Sequence, residues 1–301
     1  MKRKKRPPGL PRPGSGERGR CGVHVSIAGG LGLALERAEK AGCEALQIFA
    51  RNPRGWRTVA IKEAEVEAFK RLRAASGLSP LIVHSPYLIN LSSPDPEIYR
   101  KSLMGFCDDY RRATRLGAEG YVIHVGFHRG KGSRQGIETM AEALGLVLDE
   151  ISPPAPVVLL ENTASSGSAL GHRFSNIADI LEKADRDERL GFCLDTCHAF
   201  VAGYNVAGKI GLEDALDEID ATIGLERLGL VHFNDARHGL GSHRDGHAHI
   251  GAGRIGLEGM RRIFLHPRLS GVTWILETPK ERPDDDLRNL SLVRLWRNSV
   301  I

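Results

Sequence analysis

A chain of 301 residues is long enough to bury one large α/β core or two ordinary ones, and 41% hydrophobic with 26% charged residues excludes a disordered or fibrous protein. No apolar run approaches the roughly 18 residues of a membrane helix, no apolar stretch follows the basic N-terminus as in a secretory signal, and five cysteines form no disulfide framework. A cytoplasmic, monomeric protein without membrane contact is expected.

The net charge of +5 belongs to residues 1–20, where eight Lys/Arg and one Glu give +7; the other 34 basic and 36 acidic residues give −2. This Pro- and Gly-rich segment lacks apolar periodicity and reads as a disordered tail, either a solubilising extension or a non-specific phosphate binder. From residue 21 onward, β-rich runs alternate with amphipathic stretches. The strand candidates are Cys21–Ile27, Ala45–Phe49, Leu81–His84, Tyr121–Val125, Val157–Glu161, Gly191–Asp195, Leu228–Phe233 and Val272–Glu277. Between them Leu31, Ala34, Leu35 and Ala38 keep the spacing of one buried helix face, as do Leu103, Phe106, Cys107 and Tyr110, and Ile137, Met140, Ala141 and Leu144. Near-continuous apolar strands such as VVLL belong to a parallel sheet covered on both faces. Eight units over residues 21–301 predict a single-domain (β/α)8 TIM barrel, with an open doubly wound sheet as the alternative.

The strand ends decide between these two. From His84 onward they carry His84, His124, Glu161, Asp195, His232 and Glu277, separated by 40, 37, 34, 37 and 45 residues, one βα unit each time. In a barrel the C-terminal strand ends converge, so these residues meet in one pocket; an open sheet spreads them along a line. Singly, a strand-end His is usually a hydrogen-bonded residue and a strand-end Asp a helix cap. Six in register are another matter, because carboxylates buried together need a compensating cation. His24 reads as a hydrogen-bonding neighbour of the ligands.

Further candidates are His198 in CLDTCHAF and the pair Asp245 and His247 in SHRDGHAHIGAG, a glycine-rich segment that otherwise reads as a flexible polar lid, with His243 and His249 open as ligands. Cys193 and Cys197 read as small buried hydrophobes. Five histidines and four carboxylates exceed what one ion takes, so two or three ions are implied. The mixed donors suit zinc, with manganese as the alternative at one site. Such clusters hydrolyse phosphate esters.

The segments GVHVSIAGG, HSPYLINLSSP, LENTASSG, CLDTCHAF, HFNDA and DGHAHIGAG resemble those of endonuclease IV, the zinc-dependent apurinic/apyrimidinic DNA repair endonucleases, in order from Gly22 to Thr278. The resemblance implies a three-zinc centre. His84, His124 and Glu161 would hold one ion, Glu161 would bridge to a second held by Asp195, His232 and Glu277, and His198, Asp245 and His247 would hold the third. Glu161 would also be catalytic, helping to orient the attacking water. It further implies incision of duplex DNA 5′ to abasic sites in base excision repair, leaving a 3′-hydroxyl and a 5′-deoxyribose phosphate, with Arg54, Tyr87 and Leu88 contacting the DNA. The chain departs from the family pattern at Val125, Gly246 and Ser85, where proline, arginine and an acidic residue are usual; no ligand is lost.

Two rivals remain at this level. A sugar isomerase uses the same kind of barrel but needs fewer ligands and a free proton-transfer residue. A non-catalytic DNA-binding module would rest on the basic tail alone.

Overall fold

The computed structural model describes residues 10, 13–15, 19–57, 59–164, 167–185 and 187–299. In chain order the strands are β1 (Cys21–His24), β2 (Ala45–Phe49), β3 (Leu81–His84), β4 (Gly120–His124), β5 (Val157–Glu161), β6 (Leu190–Asp195), β7 (Leu228–His232), β8 (Asp235–Ala236), β9 (His247–Ala248) and β10 (Thr273–Leu276). Eight of them are parallel and close into a barrel, β7 pairing with β10 and β10 back with β1, while β8 and β9 form a separate antiparallel ribbon. The fold is the expected TIM barrel. The eight strands match the sequence reading to within a few residues. β1 stops at His24 because the chain turns towards the first helix through Gly29 and Gly30, whose φ angles of 86° and 118° suit glycine.

The helices are α1 (Leu31–Lys40), α2 (Glu63–Ser76), α3 (Pro96–Leu116), α4 (Ser133–Glu150), α5 (Phe174–Lys183), α6 (Thr196–Ala202), α7 (Lys209–Thr222), α8 (Gly256–Phe264) and α9 (Asp285–Asn298). The predicted stripes of α1 and α4 are fully buried; in α3 Phe106, Cys107 and Tyr110 are buried and Leu103 packs beside them. α3 starts where Asp95 accepts hydrogen bonds from the amides of Glu97 (2.9 Å) and Ile98 (3.0 Å) with Pro96 at its first position, and it ends at left-handed Gly117. Among the described residues no helix is long and apolar enough to cross a membrane.

Alternation along the strands sets up the site. Ala45, Ile82, Val122, Leu159, Cys193, Leu230 and Ile275 form one apolar layer inside the barrel. Positions two apart on a strand share a face. The next layer up is therefore Gln47, His84, His124, Glu161, Asp195, His232 and, one residue past β10, Glu277. Pairing brings these side by side, since His124 stands opposite Glu161 and Asp195 opposite His232.

The expected disordered tail, residues 1–20, falls largely outside the described residues. Of its described part, Leu10 is buried within the lower barrel layer, and a Cβ on Gly229 would stand 2.7 Å from its Cδ1. Gly14 N donates to Ser270 O at 2.8 Å. The barrel floor thus takes its filling side chain from the N-terminal segment. Leu10→Ala is expected to cost about 2–4 kcal/mol, as for other buried leucines. Thermal unfolding checks this, with Leu33→Ala, at a 40% exposed position, as the near-neutral control.

Candidate metal centre

The seven side chains of the upper layer meet His198 from α6 and Asp245 and His247 from the segment around β9 at the C-terminal mouth of the barrel. Glu161, fully buried, is at the middle. Its two oxygens face different partners. Oε2 lies 3.2 Å from His84 Nε2 and 3.1 Å from His124 Nε2, whereas Oε1 lies 3.0 Å from His232 Nδ1 and 3.3 Å from His198 Nδ1. Glu161, Asp195, His232 and Glu277 each bring one donor atom within 4.8 Å of the others, and so do His198, Asp245 and His247. A third such group joins His84 and Glu161 with His232.

Backbone carbonyls fix the ring tautomers. His84 Nδ1 donates to Ser85 O (2.7 Å), His198 Nδ1 to Asn162 O (2.9 Å) and His247 Nδ1 to Glu277 O (2.9 Å). A carbonyl only accepts, so in each neutral ring Nε2 keeps its lone pair, as metal-binding imidazoles do. His247 Nε2 is buried without a hydrogen-bond partner, 3.7 Å from Asp195 Oδ2 and 3.8 Å from Asp245 Oδ1. That is too far for a hydrogen bond and suits atoms sharing a cation.

The electrostatics ask for positive charge. Burial pushes the Glu161 carboxyl up, but the rings of His124 and His232 outweigh it and hold it well below the usual carboxylate range. Asp245 is likewise raised by burial, yet the hydrogen bond and charge of His198 bring it down to about 2. His198, which burial alone would lower, is driven well above the ordinary imidazole range by Asp195, Asp245 and Glu161. The carboxylates draw protons onto the rings, and divalent cations satisfy the same demand while using the bare nitrogens. The donor set fits a metal centre.

Asp195 serves in two ways. Its Oδ1 caps α6 by accepting from His198 N (2.7 Å), the ordinary role of a strand-end Asp, while Oδ2 is held by Asn234 Nδ2 (2.7 Å) on the side of the centre. Asn162 Oδ1 accepts from Asp195 N (2.7 Å), and Asn234 Oδ1 accepts from Glu277 N (2.8 Å). The sequence reading does not include these amides among its candidates, although they lie in LENT and HFND, one and two residues after Glu161 and His232. Nor does it include Gln47.

His24 takes the expected neighbour's place, with Nδ1 3.2 Å from Glu277 Oε1. Of the open candidates, His249 faces Asn289 (3.1 Å) on α9, and neither it nor His243 joins a metal-capable group among the described residues. The expected lid is partly the β8–β9 ribbon, tied down by buried Asp235, whose Oδ2 accepts from Gly253 N (2.9 Å) and whose Oδ1 accepts from Ile255 N (2.9 Å). Both cysteines are buried as expected, and burial pushes the Cys193 thiol up to about 12. Cys197 does lie with Asp195 and His247 in a metal-capable group, with its Sγ 3.5 Å from Gly246 O.

Around the mouth, Arg54 is exposed on the loop after β2, and Tyr87, 67% exposed, stands over Phe49 and His84 with ring centroids 5.3 and 6.2 Å away. Leu88 is half-buried beside it. Exposed Arg129, Lys131, Arg237, Arg244 and Arg254 stand on other loops that follow barrel strands. Although the chain beyond residue 20 is slightly acidic, the face that carries the centre has a basic rim.

A family profile described as "Xylose isomerase-like TIM barrel" matches residues 35–296. A "Probable endonuclease 4" of Halothermothrix orenii is 45% identical over 278 residues, 92% of this chain and 99% of that protein. Another "Probable endonuclease 4", from Methanoculleus marisnigri, is 42% identical over 91% of this chain and 97% of its own length. The crystal structure of endonuclease IV from Thermus thermophilus is similar with a TM-score of 0.83 and 44% identity, covering 93% of this chain and 99% of that one.

Proposed function

Because this chain belongs to the endonuclease IV family, we propose that it repairs DNA by hydrolysing the phosphodiester bond 5′ to abasic sites in duplex DNA, leaving a 3′-hydroxyl and a 5′-deoxyribose phosphate in base excision repair. The observation that carries this reading is the division of Glu161, one oxygen facing the His84 and His124 nitrogens and the other His232 Nδ1, a carboxylate arranged to be shared.

In this reading His84, His124 and Glu161 hold one zinc ion, Glu161 is shared with a second held by Asp195, His232 and Glu277, and His198, Asp245 and His247 hold a third, with manganese as the alternative at one position. Divalent ions at such a centre activate water as a nucleophile and neutralise charge on the phosphate and the departing oxygen. The protein's part is to fix the donors: backbone carbonyls set the rings of His84, His198 and His247, and Asn162 and Asn234 set Asp195 and Glu277. The basic rim draws the phosphate backbone to the mouth. An abasic sugar, lacking a stacked and paired base, is cheaper to swing out than an intact nucleotide.

A duplex with a single abasic site tests the proposal. Purified protein is expected to carry about three metal ions, to nick the damaged strand on the 5′ side, to leave the matched intact duplex uncut, and to stop when a chelator strips its metal. A β-elimination end on the product, or nicking unaffected by metal removal, would overturn it. One ion per chain in protein never exposed to chelator would overturn the three-metal centre.

A further inference from the structure

His232 is the ring whose inward nitrogen is Nδ1, and its outward nitrogen meets a side chain where the outer nitrogens of His84, His198 and His247 meet backbone carbonyls. That side chain is Gln47, in the middle of β2 and fully buried. Gln47 Oε1 is 2.8 Å from His232 Nε2, and Gln47 Nε2 is 2.7 Å from Glu277 Oε1 and 2.9 Å from His24 Nδ1. We infer that Gln47 is a positioning residue of the proposed metal centre, holding His232 and Glu277 together in the arrangement that a shared cation requires. The inference rests on the metal-centre reading above.

Chemistry fixes which way the amide points. An ionised carboxylate only accepts, so the amide NH2 must face Glu277. The amide oxygen then faces His232 Nε2, which must carry the hydrogen. In the neutral ring the lone pair is therefore on Nδ1, 3.0 Å from Glu161 Oε1 and 3.5 Å from Glu277 Oε2, among the atoms that would share an ion. One amide thus selects the tautomer of one ligand and the rotation of another. A glutamine buried only for packing would gain nothing over an aliphatic side chain, because an interior amide must recover its lost hydration through hydrogen bonds. Here both ends are spent on ligands from β7 and from the residue just after β10.

Gln47→Leu keeps most of the volume and removes both hydrogen bonds; Gln47→Met repeats the test with a flexible side chain should leucine fail to fold. The expected result is 10- to 100-fold weaker retention of one ion in zinc-buffered solution, the usual cost of losing a group that orients a metal ligand. With cobalt in place of zinc the visible spectrum should change, and kcat on the abasic duplex should fall with KM unchanged. Equal ion retention and an unchanged cobalt spectrum in a folded variant would overturn the role of Gln47 while leaving the centre intact. Wild-type protein that holds no tightly bound ions would overturn the centre itself, and this inference with it.

Discussion

Glu161→Gln is expected to lower cleavage of an abasic duplex by a factor on the order of 10³ or more, the scale seen when one member of a tightly coupled catalytic group is removed, and to lose at least one metal ion. The substitution conserves shape, so packing does not decide the outcome. What changes is that one carboxylate oxygen becomes an NH2. Oε2 faces His84 and His124, Oε1 faces His232 and His198, and all four nitrogens lie within 3.3 Å. Whichever way the amide turns, it presents hydrogens to ring nitrogens that must offer lone pairs, His84 and His124 Nε2 on one side or His232 Nδ1 on the other. It also removes one of the carboxylates that offset the cations' charge. Elemental analysis alongside single-turnover cleavage checks both effects. Near wild-type cleavage with full metal content would mean that Glu161 is not shared between ions.

The barrel and most of the centre are legible in the sequence because both follow from strand period and strand ends. Ile82 to His84, Val122 to His124, Leu159 to Glu161 and Leu230 to His232 repeat one step, an apolar interior residue followed two positions later by a polar one at the mouth. Gln47 obeys the same step from Ala45, yet it lies inside its strand, not at the end, and an amide carries no metal signature of its own. Asn162 stands directly after candidate ligand Glu161 and Asn234 two residues after His232, but both act by hydrogen bonds to backbone and carboxylate, which spacing does not encode. The segment around Asp245 resembles a lid because its glycines are conspicuous, while buried Asp235, the side chain that ties it down, lies outside the glycine-rich run. Leu10 is hidden for a different reason: a single leucine in a Pro- and Gly-rich run has no periodicity, and only the closed barrel reveals the floor it fills. The basic rim has no signature in the chain because its residues are scattered in sequence and are gathered only by the loops that follow the strands.

Arg54→Ala with Leu88→Ala is expected to reduce discrimination between abasic and intact duplex by about 10- to 100-fold, with metal content unchanged. That range corresponds to about 1 kcal/mol or somewhat more for each side chain that replaces lost base stacking. The pair is chosen because Tyr87, the third candidate, leans on His84, so its removal would disturb a candidate ligand. Arg54 rides on a loop that is firmly held: buried Arg51 donates from Nε to Asp109 Oδ1 at 2.7 Å on α3 and also bonds Gly55 O. Arg54 N donates to Asn52 Oδ1 at 3.0 Å, closing the turn that carries it. A solvated surface arginine has no need of so fixed a base, and a tyrosine that is 67% exposed over the pocket mouth is poorly placed as mere packing. Rigid side chains raised around a pocket are what a duplex needs if a flipped sugar is to leave a filled gap behind it, since wedging offsets the unstacking of neighbouring base pairs. If affinity comes from the rim and selectivity from the wedge, the double variant keeps most of its salt-dependent binding to intact DNA. Cleavage efficiency and affinity measured on both duplexes separate the two contributions. Unaltered selectivity in a folded, fully metallated double variant would mean that these residues pack the loops and that the lesion is sensed inside the pocket.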